Sequence, residues 1–152
     1  MARARLCAEP FSPEALLAGF LEGRAGDGAV VSFVGLARAA GRDGGPVTAL
    51  TLDWHPVLTE RSMAQIAEDG ETRFGVSDLL VVHRCGDVAP GEAIVFVAAA
   101  APHRRDAFLA ADYVMDRLKT EAAFWKREHG PDGDCWIEPT DNDRADLARW
   151  ST

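Results

Sequence analysis

The chain has 152 residues, 47% of them hydrophobic and 26% charged, the composition of an ordinary soluble globular protein whose length fits one domain spanning residues 1–152. Sixteen basic against 24 acidic side chains leave a formal charge of −8, a field that opposes generic binding to nucleic acid or to an anionic membrane but still permits a local cationic pocket. Cys7, Cys85 and Cys135 are odd in number, widely spaced and form no C-x-x-C pair, so the pattern suggests reduced thiols rather than a disulfide framework or a zinc site, and no metal or cofactor is expected.

"MARARLCAEP" carries two arginines but no apolar h-region, and no stretch approaches the roughly 20 apolar residues of a membrane span; a cytoplasmic protein is expected. Ser12-Pro13-Glu14 then places a capping residue, a proline and an acid where a helix start favours each, and "EALLAGFLEG" reads as a short amphipathic helix ending near Gly23. After a turn at Gly26-Asp27-Gly28, "AVVSFVGLA" is rich in β-branched and aromatic residues and reads as a strand running into Arg38. "AAGRDGGPV" is a glycine-rich loop without the G-x-x-x-x-G-K-[ST] spacing that cradles nucleotide phosphates.

"VTALTLDWH" alternates and is expected to pair with the preceding strand, and Thr59 is placed to cap a helix from Glu60 to Phe74 that Gly70 weakens near its end. "SDLLVVHRCG" and "EAIVFVAAAA" read as two apolar strands of a hairpin joined through "DVAPGE". Pro102 stops the second, and a helix from Asp106 to Leu118 carries Phe108, Leu109, Ala111, Val114, Met115 and Leu118 at helical spacing. The turn "PDGD", a short "CWIE" strand and a charged helix complete the chain. Mixed element order with hairpin-length connections predicts an α+β fold with a largely antiparallel sheet and flanking helices.

The cationic residues concentrate between Pro102 and Glu128. His103 and Arg104 sit where a strand hands over to a helix, so free backbone amides and the helix dipole favour an anion there; the simpler alternative is a capping histidine beside solvated arginines. Lys119 and Lys126 would lie about 10 Å apart on one face of a continuous helix, but "AFWKRE" is equally compatible with a strand, in which case the lysines converge through the fold. Arg38 adds a cation at the mouth of a loop. Together Arg38, His103, Arg104, Lys119 and Lys126 suit an anionic small molecule, arginine offering bidentate phosphate contacts and lysine a proton-transfer group or nucleophile.

The blocks "GAVVSFVGLAR", "ALTLDWHP", "VVHRCGDVAPGEAIVFVAAAAPHR", "VMDRLKTEAAFWKRE" and the terminal tryptophan stretch resemble, in order and spacing from about Asp27 to Trp150, the large catalytic subunit of molybdopterin synthase. The resemblance implies that family's α+β, hammerhead-like fold and a sulfurtransferase converting cyclic pyranopterin monophosphate (precursor Z) to molybdopterin, in molybdenum cofactor biosynthesis. It also implies a partner, a small ubiquitin-like sulfur carrier with a C-terminal Gly-Gly thiocarboxylate, and a homodimer of large subunits within a heterotetramer. The chain ends Trp150-Ser151-Thr152, without a Gly-Gly pair, and so looks like the receiving subunit.

Carried over residue by residue, the resemblance places substrate binding on Leu36, Ala37, Arg38, His103, Arg104, Lys119, Lys126, Arg127 and Glu128. It places catalysis on Lys119 first and Lys126 second, with His103 and Arg104 reaching across a dimer interface. Phe33, Met115 and Phe124 suit either pocket walls or core. Ala123 stands where the family commonly has proline, Asp53-Trp54-His55-Pro56 varies on an acidic-aromatic segment, and Cys85 reads as a small buried hydrophobe rather than a sulfur relay. The competing reading is a non-catalytic module binding a phosphorylated ligand or a ubiquitin-like tail; it would keep Arg38 and Arg104 but would not need both lysines. A third is a dimeric scaffold whose charges are all solvated.

Overall fold

The computed structural model describes residues 1–41 and 44–151. In chain order its elements are β1 (Arg3–Cys7), α1 (Pro13–Leu21), β2 (Ala29–Leu36), β3 (Ala49–Trp54), α2 (Leu58–Phe74), β4 (Asp78–Arg84), β5 (Gly86–Val88), β6 (Ala93–Ala101), α3 (Arg104–Glu121), β7 (Phe124–Gly130), β8 (Gly133–Ile137) and α4 (Asp141–Ala148). They form two four-stranded sheets, ordered β1-β4-β6-β2 and β5-β3-β7-β8, in which only the β1–β4 pair is parallel. This is the expected α+β fold with antiparallel pairing dominant. Among the described residues no helix is long and apolar enough to cross a membrane.

The first sheet is built around β6. Its unbroken apolar run suits a strand covered on both faces, because alternate side chains point to opposite sides. Val95, Val97, Ala99 and Ala101 join Leu79 and Val81 of β4 against α2 and α3, whereas Phe96, Ala98 and Ala100 join Val82 and Phe20 of α1 on the other side. Each fully buried valine, leucine or isoleucine here contributes about 1.5–3 kcal/mol relative to an exposed one. Ser12 caps α1 by accepting from the Ala15 N–H at 3.2 Å, as its sequence position implies.

Several expectations are corrected. β3 does not pair with β2; β2 lies on β6, while β3 enters the second sheet between β5 and β7, where Leu50 and Leu52 pack with Ala37 and Val88. The twelve-residue connection at 37–48 is long enough to change sheets, and part of the expected glycine-rich loop, Arg42 and Asp43, lies outside the described residues. β1 was not anticipated, because a five-residue strand with arginine at alternate positions has only Ala4 and Leu6 to signal it; it lies parallel to β4.

Thr59 does not cap α2. The N-cap position is Val57, which makes no side-chain cap bond; His55, two residues earlier, accepts through Nδ1 from the N–H groups of Val57 and Leu58 at 3.1 and 3.0 Å, while buried Thr59 takes the His55 N–H and donates to the Ala123 carbonyl at 2.6 Å. The helix ends at Phe74 as expected and closes at Gly75 in the left-handed region, and Gly70 within it does not break it. Its missing side chain instead admits α3, since a Cβ there would stand 2.7 Å from Val114 Cγ2. α3 is longer than expected, and Phe108 leaves its apolar face: it is 58% exposed, while Ala107, Ala110, Ala111, Val114 and Leu118 form the buried stripe.

Candidate functional site

α3 ends at Glu121 because Ala122 is extended, and after Ala123, whose N–H donates to Ser62 Oγ at 3.2 Å, the chain turns directly into β7. Lys119 therefore stands on the last turn of a helix and Lys126 on a strand, and the turn between them folds both onto one cleft. The cleft occupies about 310 Å³, and its lining includes Leu36, Ala37, Arg38, Lys119, Lys126 and Glu128. Arg38 arrives from the end of β2, where Ala37 is anchored in the apolar cluster formed with Leu52 and Val88. A smaller recess of about 130 Å³ opens beside it around the same two lysines and is floored by Phe124.

Behind that floor lies His83 of β4, a residue the sequence reading passed over. Its ring stacks on Phe124 at 4.2 Å between centroids, and its Nδ1–H donates to the Arg84 carbonyl at 2.7 Å, which leaves Nε2 as the lone-pair nitrogen. Burial, reinforced by the positive charges of Lys126 and Lys119 and opposed by the Arg84 carbonyl, pushes its pKa down to about 3. The cleft is thus backed by a neutral imidazole, and its positive charge comes from side chains that reach the opening. A lone histidine interrupting the apolar run "DLLVVHR" was the available signal.

Strand alternation separates the three residues at 126–128. Lys126 and Glu128 face the cleft, whereas Arg127 points to the opposite face of the sheet. There its Nε donates to Asp53 at 3.1 Å, its guanidinium lies 3.7 Å from Asp134, and it covers the Trp136 ring at 5.3 Å. On that same face Thr51 donates to Asp87 at 2.6 Å, and the His129 ring bridges Thr51 and Asp134 at 2.6 and 2.7 Å. Arg127 is therefore part of a polar ladder that ties the second sheet together, not part of the cleft lining.

His103 and Arg104 are exposed at the other end of α3, where His103 occupies the N-cap position without a side-chain cap bond. Fifteen residues of helix separate Arg104 from Lys119, about 22 Å at 1.5 Å per residue, so one chain does not bring the pair to its own lysines. Met115 and Phe124 pack against the core, while Phe33 is 42% exposed on the edge strand β2.

The remaining wall comes from the C-terminal segment. Ile137, Glu138, Pro139, Thr140 and Asp143 line the cleft or its recess. Thr140 and Asp143 form a reciprocal capping box, the Thr140 N–H donating to Asp143 at 2.8 Å and the Asp143 N–H to Thr140 Oγ1 at 3.0 Å. The T-x-x-D spacing was legible as a cap, but nothing local showed that this cap borders a site. Of the cysteines, Cys85 is buried and Cys135 exposed. Burial raises the Cys85 thiol above its ordinary pKa, with Cys7 adding to the effect and Arg84 opposing it, which disfavours the thiolate a sulfur relay needs.

Comparison with known proteins gives one consistent result. The family model described as "MoaE protein" matches residues 6–121. The molybdopterin synthase catalytic subunit of Caulobacter vibrioides is 53% identical over 142 residues, 93% of each chain, and that of Cereibacter sphaeroides is 43% identical over 143 residues, 94% of this chain and 96% of the relative. The solved structure of the molybdopterin biosynthesis MoaE protein from Burkholderia ambifaria superposes with a TM-score of 0.83 at 39% identity, covering 100% of this chain and 99% of that one.

Proposed function

This chain belongs to the MoaE family of molybdopterin synthase catalytic subunits, and from that premise we propose that the Lys119–Lys126 cleft is where sulfur is transferred to the pterin. The observation that carries the reading is the convergence of Lys119 from α3, Lys126 from β7 and Arg38 from the end of β2 on one opening. Cyclic pyranopterin monophosphate presents a phosphate, which Arg38 can engage bidentately. The C-terminal thiocarboxylate of a small ubiquitin-like carrier enters beside it; its sulfur bonds to a side-chain carbon of the pterin with loss of an oxygen substituent, water then cleaves the acyl–sulfur bond so that the carrier leaves as a carboxylate, and a second carrier supplies the second sulfur. The two ammonium groups then stabilise the developing negative charge or carry protons, and a recess floored by Phe124 keeps water from the hydrolysable thiocarboxylate.

His103 and Arg104 serve the cleft of a second protomer, because the length of α3 keeps them away from their own. The unpaired edge of β2, with Phe33, Val34 and Leu36 exposed and Arg38 just beyond, is the apolar surface such a homodimer would cover. Two carriers on a central dimer make the heterotetramer, which works in the cytoplasm. Purified chain mixed with thiocarboxylated carrier and the cyclic pterin is expected to form the dithiolene product. Absence of product under conditions where an authentic synthase turns over refutes the reading, and binding of pterin or tail without turnover replaces it with a non-catalytic module.

A further inference from the structure

The helix α4 has no buried residue and no apolar face of its own, yet the segment at its start forms a wall of the cleft. A helix of eight residues without such a face is not held by propensity alone. What fixes it is a cluster just past its far end. Arg149 Nη2 donates to Asp116 at 2.6 Å and reaches Asp112 at 3.3 Å, and Trp150 Nε1 donates to the same Asp116 carboxylate at 2.7 Å. The Trp150 ring meets Phe74 and Tyr113 edge-on at 5.6 and 5.4 Å, and Arg73 donates to the Trp150 carbonyl at 2.7 Å. The C-terminus of α4 is thereby clasped to both α2 and α3, the helices that pack on the first sheet.

We propose that Arg149 and Trp150 are positioning residues for the synthase cleft: by clamping the end of α4 they hold Ile137 to Asp143 against Lys119 and Lys126, and so set how tightly the cleft takes its anionic pterin. Neither residue lines the cleft. The helix between, about 12 Å long, acts as a strut whose capped end carries Thr140 and Asp143. Releasing the strut loosens one wall and leaves both lysines on intact elements, so substrate capture suffers more than the chemical step. The inference rests on the cleft being the site of sulfur transfer.

Three full-length variants test it: Trp150→Ala, Trp150→Phe and Arg149→Ala, each assayed with thiocarboxylated carrier and varied cyclic pterin. Trp150→Ala is expected to raise KM for the pterin about tenfold with kcat within about twofold, the pattern of lost binding rather than lost chemistry. Amide exchange over Ile137–Ala148 accelerates in parallel. Trp150→Phe keeps a ring against Tyr113 and Phe74 without the Asp116 hydrogen bond and falls between. Arg149→Ala removes a half-exposed side chain that bonds Asp112, Asp116 and the Asp146 carbonyl and lies over the Trp150 ring at 5.2 Å, but takes no apolar group out of the core; it keeps the fold and shifts KM in the same direction. An unchanged KM in Arg149→Ala and Trp150→Ala overturns the proposal, as does a loss confined to kcat or unaltered exchange in the C-terminal segment. Failure of the cleft reading is separate: it would appear as full turnover in Lys119→Ala.

Discussion

Replacing His83 with glutamine tests whether the imidazole behind the cleft is neutral in the native protein. The unfolded chain carries a histidine of ordinary pKa, 6.5, whereas the native value is about 3, so between those values the unfolded state binds nearly one proton more than the folded state. The stability contribution is therefore complete above pH 6.5 and declines as the pH falls, because stability rises with pH wherever the unfolded state holds the extra proton. Integrated from pH 7 to pH 5, the loss is about 2 kcal/mol. For a chain of this size that corresponds to about 4–8 °C in the unfolding midpoint. The measurement is the wild-type change between pH 7 and pH 5 minus that of His83→Gln. The other three histidines cancel in that difference. Asp78 adds nothing in this window: burial would raise its pKa, but Arg24, the terminal amine and Arg3 together hold it below 3.8, so its contribution is lost only at lower pH. Identical pH slopes in wild type and variant would refute a buried neutral His83.

Lys119→Ala should lower turnover by about a hundredfold or more with little change in unfolding midpoint, because an exposed lysine contributes little to the fold; near-wild-type rates remove it from the chemistry. Arg127→Ala, in contrast, should keep KM for the pterin within about twofold while costing about 1–2 kcal/mol in denaturant unfolding through its lost Asp53 and Trp136 partners; a large KM change would return it to the cleft. Cys85→Ala should turn over normally with supplied thiocarboxylate, and abolished activity would reinstate a sulfur relay. Gly70→Ala should destabilise by about 1–3 kcal/mol despite alanine's better helix propensity, since the new methyl meets Val114 at 2.7 Å in a filled core; a stabilised variant in thermal unfolding would show that α2 and α3 can part without loss.

Periodicity found what periodicity encodes. The apolar run of β6, the capped start of α1 and the helical spacing before Lys119 are local patterns, and each produced its element. Phe108 misled because a large apolar residue one step off the stripe scores as core until its neighbours are known. The pairing of β3 was misjudged because adjacent strands usually pair, and nothing in "VTALTLDWH" says that a long connection carries it to another sheet. His55, on a segment that varies in the family, was given no role, although its ring accepts the first N–H groups of α2 that Thr59 was expected to satisfy.

For the site, the order of amino acids specifies which charged residues exist and, through ordered blocks that resemble a family, which of them to expect at a substrate pocket. Which of them meet is set by the fold. Strand alternation turns Arg127 away while keeping Lys126 and Glu128, helix length separates Arg104 from Lys119, and the C-terminal segment closes a wall that no motif announced. Charge and propensity belong to single residues and short windows, whereas a cleft is a coincidence of distant segments, fixed by how the two sheets and their helices bury their apolar faces.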